Sequence, residues 1–564
     1  MKTETILGLT TLEPYGLDMH SHDSSAALID KSAVKGAVSE ERFTRNKHHA
    51  SFPWMSVNYL LGLGYEYADI DAVAIPWPLK QALPKHMEIA KRMYYSLLPG
   101  FKARLYAKKP FLPVEKKKII GVGHQRAHAA SAYRTSGFRK ALVISLDLGG
   151  SEKDIINTGG GIFIGDNGEL TRLKALTASF GLFYTFVTEG LGFKAIDGEG
   201  KTMGLAPFGD PNTKAYDILK KFAPKVKGTD LITQERDFSG GVTVINNYQR
   251  FVFYDVGIIH SLIKKFGDKN VAAAAQRILE EGITELVSNA LDETGLDKLC
   301  LAGGVFLNVK LNKKLRELRQ VKEIYIYPNP GDAGAAVGAA LEAYHDLTGE
   351  KTFSKADNNI YLGPEYTDDE IEAVLKKYSG LRYRKTSDPS GDAAELISRG
   401  KIVGWFQGRM EWGPRALGAR SVLSSPHDVK VKDKLNLHLK QREWFMPFAP
   451  AMLLEESRDY LKAASESPYM IMAYDVQPHT KDDIAATVHV DGTVRPQTVT
   501  RKQNPLYYDL IKEYGKMTGT PVVLNTSFNR HGLPIVCSPY DGVSHLFMNC
   551  VESLVIGNFV VSRR

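Results

Sequence analysis

His124 and His128 stand four residues apart in GHQRAHAASAYR. On a helix, that spacing puts both imidazoles on one face, one turn apart, where they can reach a single metal ion. Asp147 closes the apolar run ALVISLDLGG, and Asp332 opens the loop PNPGDAGAA ahead of a small-residue helix. In a doubly wound sheet, such positions converge on the crevice at the carboxyl ends of the strands. Two histidines and one or two aspartates form a nitrogen–oxygen ligand set suited to iron(II), manganese or zinc. The plainer alternative is that both aspartates cap helices or turns. His22-Asp23 in SHDSSAAL is a further candidate. Such a pair beside a strand can orient an acceptor hydroxyl or take its proton, unless it is only a turn before the strand.

Glycine turns follow three β-type runs: Gly149-Gly150 after Asp147, Gly303-Gly304, and Gly331-Asp332-Ala333-Gly334. Backbone N–H groups in such turns can approach phosphate oxygens. Three of them in one α/β unit are what a nucleotide fold of the actin and sugar-kinase type needs. Neither G-x-x-x-x-G-K-[ST] nor G-x-G-x-x-G occurs in the chain.

Farther along, GRMEWGPRALGARSVL sets Arg409, Arg415 and Arg420 among glycines and apolar residues. Guanidinium forks there are placed to hold phosphate or carboxylate bidentately. Lys440 and Arg442 follow beside Glu443 and an aromatic, proline-rich stretch, and the apolar run VVLNTSFN ends in Asn525, Thr526 and Ser527. Together these residues read as a polyanion pocket with cationic forks and neutral donors. The competing reading is a structural salt-bridge network.

The elements that must position these groups can be outlined from the sequence. Residues 5–11, 24–30, 33–40, 117–123 and 141–150 read as strands, and the segment after Gly123 as a helix. The turn Asp166-Asn167-Gly168 joins two more strands. A helix is expected over 271–294, a buried strand opening on Gly303-Gly304, and a strand–loop–helix over 323–344. The polar stretch 345–362 marks a domain boundary, giving units of residues 1–350 and 357–564.

The 564 residues are 43% hydrophobic and 24% charged, which excludes disordered, collagenous and coiled-coil classes. The net charge of +8 suits an anionic small substrate and does not by itself argue for nucleic acid. One basic tract, residues 102–118, reads as a solvated surface, with an anion- or RNA-guiding patch as the alternative. Three cysteines without metal-type pairing point to a reduced, cytoplasmic protein. No signal peptide or membrane span is expected from the sequence.

The segments HDSSAAL, GHQRAHAASAY, GRMEWGPRALGARS, KQREWFMPFAPA and NTSFN occur in this order across the chain. In that combination the chain resembles the ATP-dependent O-carbamoyltransferases that modify nodulation factors and antibiotics such as tobramycin and the cephamycins. The resemblance implies an α/β fold: an N-terminal actin/Hsp70-like (Kae-one-like) duplicated RNase H-type domain and a C-terminal YrdC-like domain. It implies that carbamoyl phosphate and ATP, used with magnesium, give carbamoyl adenylate in the C-terminal domain. The carbamoyl group then passes to a hydroxyl of a natural product or sugar in the N-terminal metal site.

On this reading His124, His128, Asp147 and Asp332 hold a divalent metal, with iron(II) first and manganese or zinc next. Lys440, Arg442, Asn525 and Ser527, with Arg409 and Arg415, bind nucleotide and carbamoyl phosphate. Gly149, Gly150, Gly303 and Gly304 bind nucleotide in the N-terminal domain, and His22 and Asp23 act on the acceptor. Relatives often carry His-His where this chain has Gly123-His124, so a supporting extra histidine is not expected. The expected partner is a small-molecule alcohol, with no membrane or nucleic acid and with a homodimer possible. The competing enzyme reading is tRNA threonylcarbamoylation, and a catalytically dead nucleotide-binding regulator is the non-enzyme alternative.

Overall fold

The structure, a computed structural model, describes residues 4–11, 22–78, 118–233, 240–245, 248–253, 256–351 and 360–564. All but the last residue of the basic tract 102–118 lies outside the described residues, as do residues 352–359 of the polar boundary stretch.

Two five-stranded mixed sheets make up the N-terminal part. The first has the spatial order Ala33–Ser39, Ser25–Asp30, Thr5–Leu9, Ala72–Ile75, Lys118–Gly121. Its first three strands are antiparallel, and the last two join in parallel. The second runs Glu169–Leu176, Ile156–Asp166, Lys140–Ser151, Lys298–Ala302, Glu323–Ile326 and repeats the same order and sense. Asn167 and Gly168 turn the hairpin of this sheet with φ of 50° and 86°, the paired positive values that suit strand twist. One expectation needs correction. Asp147 does not end its strand: the strand continues to Ser151, with pairing interrupted between Leu146 and Gly150. That irregularity turns the Asp147 side chain toward the helix His124–Ser136.

Two helices fill the space between these sheets. His124–Ser136 packs on the second sheet, Ala335–Thr348 packs on the first, and they pack on each other. Both are alanine-rich, which lets their axes come close. A Cβ on Gly338 would lie 1.8 Å from the Ala127 carbonyl oxygen, and one on Gly8 would lie 2.1 Å from that of Ala336. A buried ion pair ties the two helices. Glu342 accepts from Arg126 Nε at 2.5 Å and from Arg134 Nε at 2.8 Å. Burial opposes charge on Glu342, but the two guanidiniums hold its carboxyl below the ordinary value.

The C-terminal part is one eight-stranded mixed sheet in the order Leu381–Lys385, Phe559–Arg563, Ser553–Ile556, Val403–Phe406, Arg420–Ser424, Val522–Ser527, Ala449–Leu453, Gln497–Val499. Its inner strands are apolar on both faces, with successive side chains pointing to opposite sides. Trp405, Leu423, Val523 and Val555 meet the helices Pro389–Ser398 and Pro505–Thr518. Phe406, Val422, Leu524 and Ile556 face the helices Asp368–Leu375 and Pro539–Phe547. All four helices begin at a side-chain cap, namely Asp388, Asn504, Thr367 and Ser538, and three have proline at the next position.

The two parts meet through side chains that bind backbone. Arg45 donates to the carbonyls of Pro534 and Ile535, both at 2.6 Å, and Arg42 to that of Gly413 at 2.9 Å. Among the described residues, no helix is long and apolar enough to cross a membrane.

Candidate active site

The helix His124–Ser136 starts at Gly123, which has no side chain to cap it. Glu152 does the work instead, accepting from the N–H groups of Gln125 at 2.8 Å and Arg126 at 3.2 Å. A Cβ on Gly123 would strike that carboxylate at 2.2 Å. His124 is therefore fixed from its first turn. Trp77 stacks on its ring with centroids 4.6 Å apart, and Gly150 lies so close that a Cβ would meet the ring at 2.3 Å.

The four residues singled out as ligands come together. One donor atom from each of His124, His128, Asp147 and Asp332 lies within 4.8 Å of the others. His124 Nε2 is 3.2 Å from His128 Nε2 and 3.2 Å from Asp147 Oδ2. His128 Nε2 is 3.4 Å from Asp147 Oδ2 and 3.4 Å from Asp332 Oδ1. Ligands bonded at about 2.1 Å to one ion sit roughly 3.0–3.5 Å apart, so this donor set fits a first-row divalent ion. Asp147 Oδ1 is held by the N–H of Gly304 at 3.2 Å. Burial lowers the basicity of His128, but Asp147 and Asp332 outweigh it and raise the pKa to about 9. Both Nδ1 atoms are buried without a hydrogen-bond partner among the described residues, so packing rather than hydrogen bonding orients the rings.

His22 and Asp23 sit beside this cluster. His22 Nε2 is 3.3 Å from Asp332 Oδ2, and His22 Nδ1 is 2.9 Å from Asp23 Oδ2. Burial pulls the His22 pKa down, but Asp332 and Asp23 bring it up to about 9. The glycines expected to take nucleotide lie here too. Gly150 accommodates His124, and Gly303, at φ 103°, accommodates the Leu146 backbone. The Gly304 N–H is engaged by Asp147, so it is not presented to a phosphate. Gly149 faces open space.

A second cluster forms in the C-terminal part. Leu435–Lys440 is a π-helical turn closed by Gln441 in the left-handed region, the kind of irregularity that marks functional positions. It buries Lys440, whose Nζ donates to Ser527 Oγ at 2.9 Å and Asn529 Oδ1 at 3.0 Å. Arg442 donates to Asn436 Oδ1 at 2.9 Å and lies over the Phe448 ring. Burial pushes Lys440 well below its ordinary pKa, and the Arg442 cation adds to the effect. Burial takes Arg415 and Arg442 down to about 10. Arg495 is pushed well down by burial and by the charges of Arg415 and Arg442. Glu443, the acid next to Arg442, pairs with Lys201 at 2.8 Å. The Arg415 Nε is buried with no hydrogen-bond partner among the described residues. Cations gathered in this way, outnumbering the nearby acid Glu443, are suited to a multiply charged anion.

Three arginines and an asparagine read from sequence as one pocket divide on folding. Arg409 faces carbonyls at the junction of the two parts, donating to Leu362 O at 2.7 Å and Lys35 O at 3.2 Å. Arg420 is fully buried on Phe406 and donates to the carbonyls of Gln407 and Pro364, both at 2.9 Å. Backbone acceptors leave these two no fork for a ligand. Asn525 is buried in the sheet and donates to Ala416 O and Gln497 Oε1, both at 3.2 Å. Ser527 stays with Lys440. Arg495, His48, Asp197 and Trp77 were not legible as site residues. Arg495, in TVRPQT, lies far along the chain from the other cations, and no spacing signals it.

Residues 14–341 match the family model for the carbamoyltransferase N-terminus, and residues 394–563 match that for its C-terminus. The chain belongs to the carbamoyltransferase family. It is therefore a transferase. A protein of Synechocystis sp. with no assigned function is 34% identical over 97% of this chain and 96% of its own length. The nodulation protein NolNO of Sinorhizobium fredii is 32% identical over 99% of this chain and 82% of its own. Among solved structures, full-length HypF in its phosphate- and nucleotide-bound form is 16% identical over 62% of this chain and 56% of its own, with a TM-score of 0.32.

Proposed function

We propose that this carbamoyltransferase is an ATP-dependent O-carbamoyltransferase of a small-molecule alcohol, with two half-reactions in its two clusters. The observation that carries the reading is the gathering of the buried cations Arg415, Lys440, Arg442 and Arg495, in which Arg442 lowers the basicity of Lys440, and Arg415 and Arg442 lower that of Arg495, while the nearby acid Glu443 is paired with Lys201. A polyanion completes such a pocket, and ATP with carbamoyl phosphate supplies one. Water first releases phosphate from carbamoyl phosphate and leaves carbamate. A carbamate oxygen then attacks the α-phosphorus of ATP, and the bond to pyrophosphate breaks. The guanidiniums and the Lys440 ammonium neutralise charge on the departing pyrophosphate.

The product, carbamoyl adenylate, is consumed at the histidine–aspartate cluster. His22, held charged between Asp23 and Asp332, orients the acceptor hydroxyl with Asp23, and the hydroxyl proton passes to the departing AMP as the oxygen bonds to the carbamoyl carbon and the bond to AMP breaks. A divalent ion bound by His124, His128, Asp147 and Asp332 would supply Lewis acidity for a carbonyl or phosphate oxygen. In this proposal residues 1–350 are the transfer unit, and its repeated sheet pattern supports the actin/Hsp70-like assignment. Residues 357–564 are the adenylate-forming unit. Mass spectrometry of hydroxylated metabolites incubated with ATP and carbamoyl phosphate tests the proposal. The expected result is a gain of one carbamoyl group with release of pyrophosphate. ATP that stays intact whenever carbamoyl phosphate is added refutes it.

A further inference from the structure

We propose that His48 and Asp197 are positioning residues of the histidine–aspartate site, linked through Asp23 into an alternating chain that fixes His22 against Asp332. The proposal rests on the reading of that site as an ion site. The chain can be followed atom by atom. From Asp332, His22 carries the contact to Asp23 Oδ2. Asp23 Oδ1 is 2.7 Å from His48 Nδ1, and His48 Nε2 is 3.3 Å from Asp197 Oδ1. Lys47 Nζ closes the far end on Asp197 Oδ1. Both nitrogens of each imidazole and both oxygens of Asp23 are engaged. Turning any one ring or carboxylate therefore breaks two contacts. The orientation of His22 at the ion cluster is thus set by groups two and three links away.

A second observation is independent of the hydrogen bonds. Asp23 has φ 59°, His48 has φ 56°, and Ile196, next to Asp197, has φ 71°. Left-handed backbone costs a residue with a Cβ, and most of all a β-branched one. Two of the three are held in place locally. The His48 N–H donates to Glu41 Oε2 at 2.8 Å, and the Ile196 N–H to Glu199 Oε1 at 2.8 Å. Two of these positions, Asp23 and His48, are themselves consecutive links of the chain, and the third adjoins the next link, Asp197. Stability alone does not call for that coincidence. The charges agree with the geometry. Burial opposes charge on His48, yet Asp23 and Asp197 raise its pKa to about 10, while Asp23 and Asp197 are held well below the carboxylate range.

The test uses the full chain with His48→Gln, Asp197→Asn and the double variant. Affinity for Mn2+ is read by electron paramagnetic resonance, and carbamoyl transfer is measured beside it. Each single change should weaken Mn2+ binding about tenfold, the usual effect of disturbing groups behind ligands. The double variant should be within about twofold of the worse single variant, because a chain broken once is broken. The ATP–pyrophosphate exchange of the C-terminal cluster reports whether each variant is folded. Losses that multiply in the double variant overturn the proposal, as do unchanged Mn2+ affinity and transfer in both singles. If the unaltered protein fails to bind Mn2+, the ion-site reading falls and the proposal with it. Tight Mn2+ binding that the variants leave untouched defeats the proposal alone.

Discussion

In the histidine–aspartate cluster every imidazole faces a carboxylate, whereas in the lysine–arginine pocket cation faces cation. The first neutralises itself: His22, His48 and His128 are held charged by Asp23, Asp147, Asp197 and Asp332. In the second, burial lowers the basicity of Lys440, Arg415, Arg442 and Arg495, and neighbouring cations add to the effect on Lys440, Arg442 and Arg495. A self-neutralised cluster can exchange protons for a cation with little change in net charge. In the second cluster Lys440 and Arg442 hold backbone and side-chain oxygens, and the whole group gains most when an anion enters. The two clusters therefore differ in the sign of ligand they favour, which is consistent with the two proposed half-reactions.

The largest effects should separate the two sites outright. Lys440→Ala should lower carbamoyl phosphate-dependent ATP–pyrophosphate exchange by about 100-fold or more, the scale of losing one preorganised donor. His128→Ala should leave that exchange intact and abolish transfer to the acceptor. Equal loss of exchange in both variants would erase the contrast. Metal analysis of His128→Ala is a separate check, since full metal content would remove His128 from the ligand set.

A smaller effect concerns how the first cluster is held. Gly338→Ala pushes a Cβ against the Ala127 carbonyl and must spread the two helices that carry His124, His128 and the Asp332 loop. Overpacking of this kind costs about 1–3 kcal/mol. It should appear as a lower denaturation midpoint and weaker Mn2+ binding, with phosphate binding retained. Weaker phosphate binding in this variant would show that the two clusters are not separable.

The smallest effect is a pH dependence of the second pocket. Lys440 has a depressed pKa, so its amine loses its proton at lower pH than an ordinary lysine. A bound anion favours the charged form and raises that pKa. Anion binding therefore takes up protons, and affinity falls as pH rises through the depressed value, by at most about tenfold per pH unit for one group. Calorimetric titration of inorganic phosphate in buffers of different ionisation enthalpy measures the uptake. Proton release on binding would contradict the assignment.

Much of this was legible in the sequence, for identifiable reasons. The strand Lys140–Ser151 announces itself by an unbroken apolar run, and the helix bearing both histidines by its alanines and the glycine before it. The meeting of His124, His128, Asp147 and Asp332 was legible because the two histidines share a helical spacing and each aspartate stands beside a glycine turn. The cations were harder. Arg409, Arg415 and Arg420 share one motif, yet only Arg415 joins Lys440 and Arg442, because the other two are taken by carbonyls brought in from distant segments. Residue type gives a guanidinium its capacity to bind, but not its partner.

The sequence by itself determined the local elements and the inventory of groups able to hold a cation or an anion. Periodicity, caps and residue chemistry act over a few residues, and they can be read there. Only the tertiary structure decided that Arg495 joins the second pocket and that His48 and Asp197 stand behind His22. Those contacts span 25 residues from Asp23 to His48 and 149 from His48 to Asp197. Over such separations it is the packing of sheets and helices, not any local preference, that sets which charges meet.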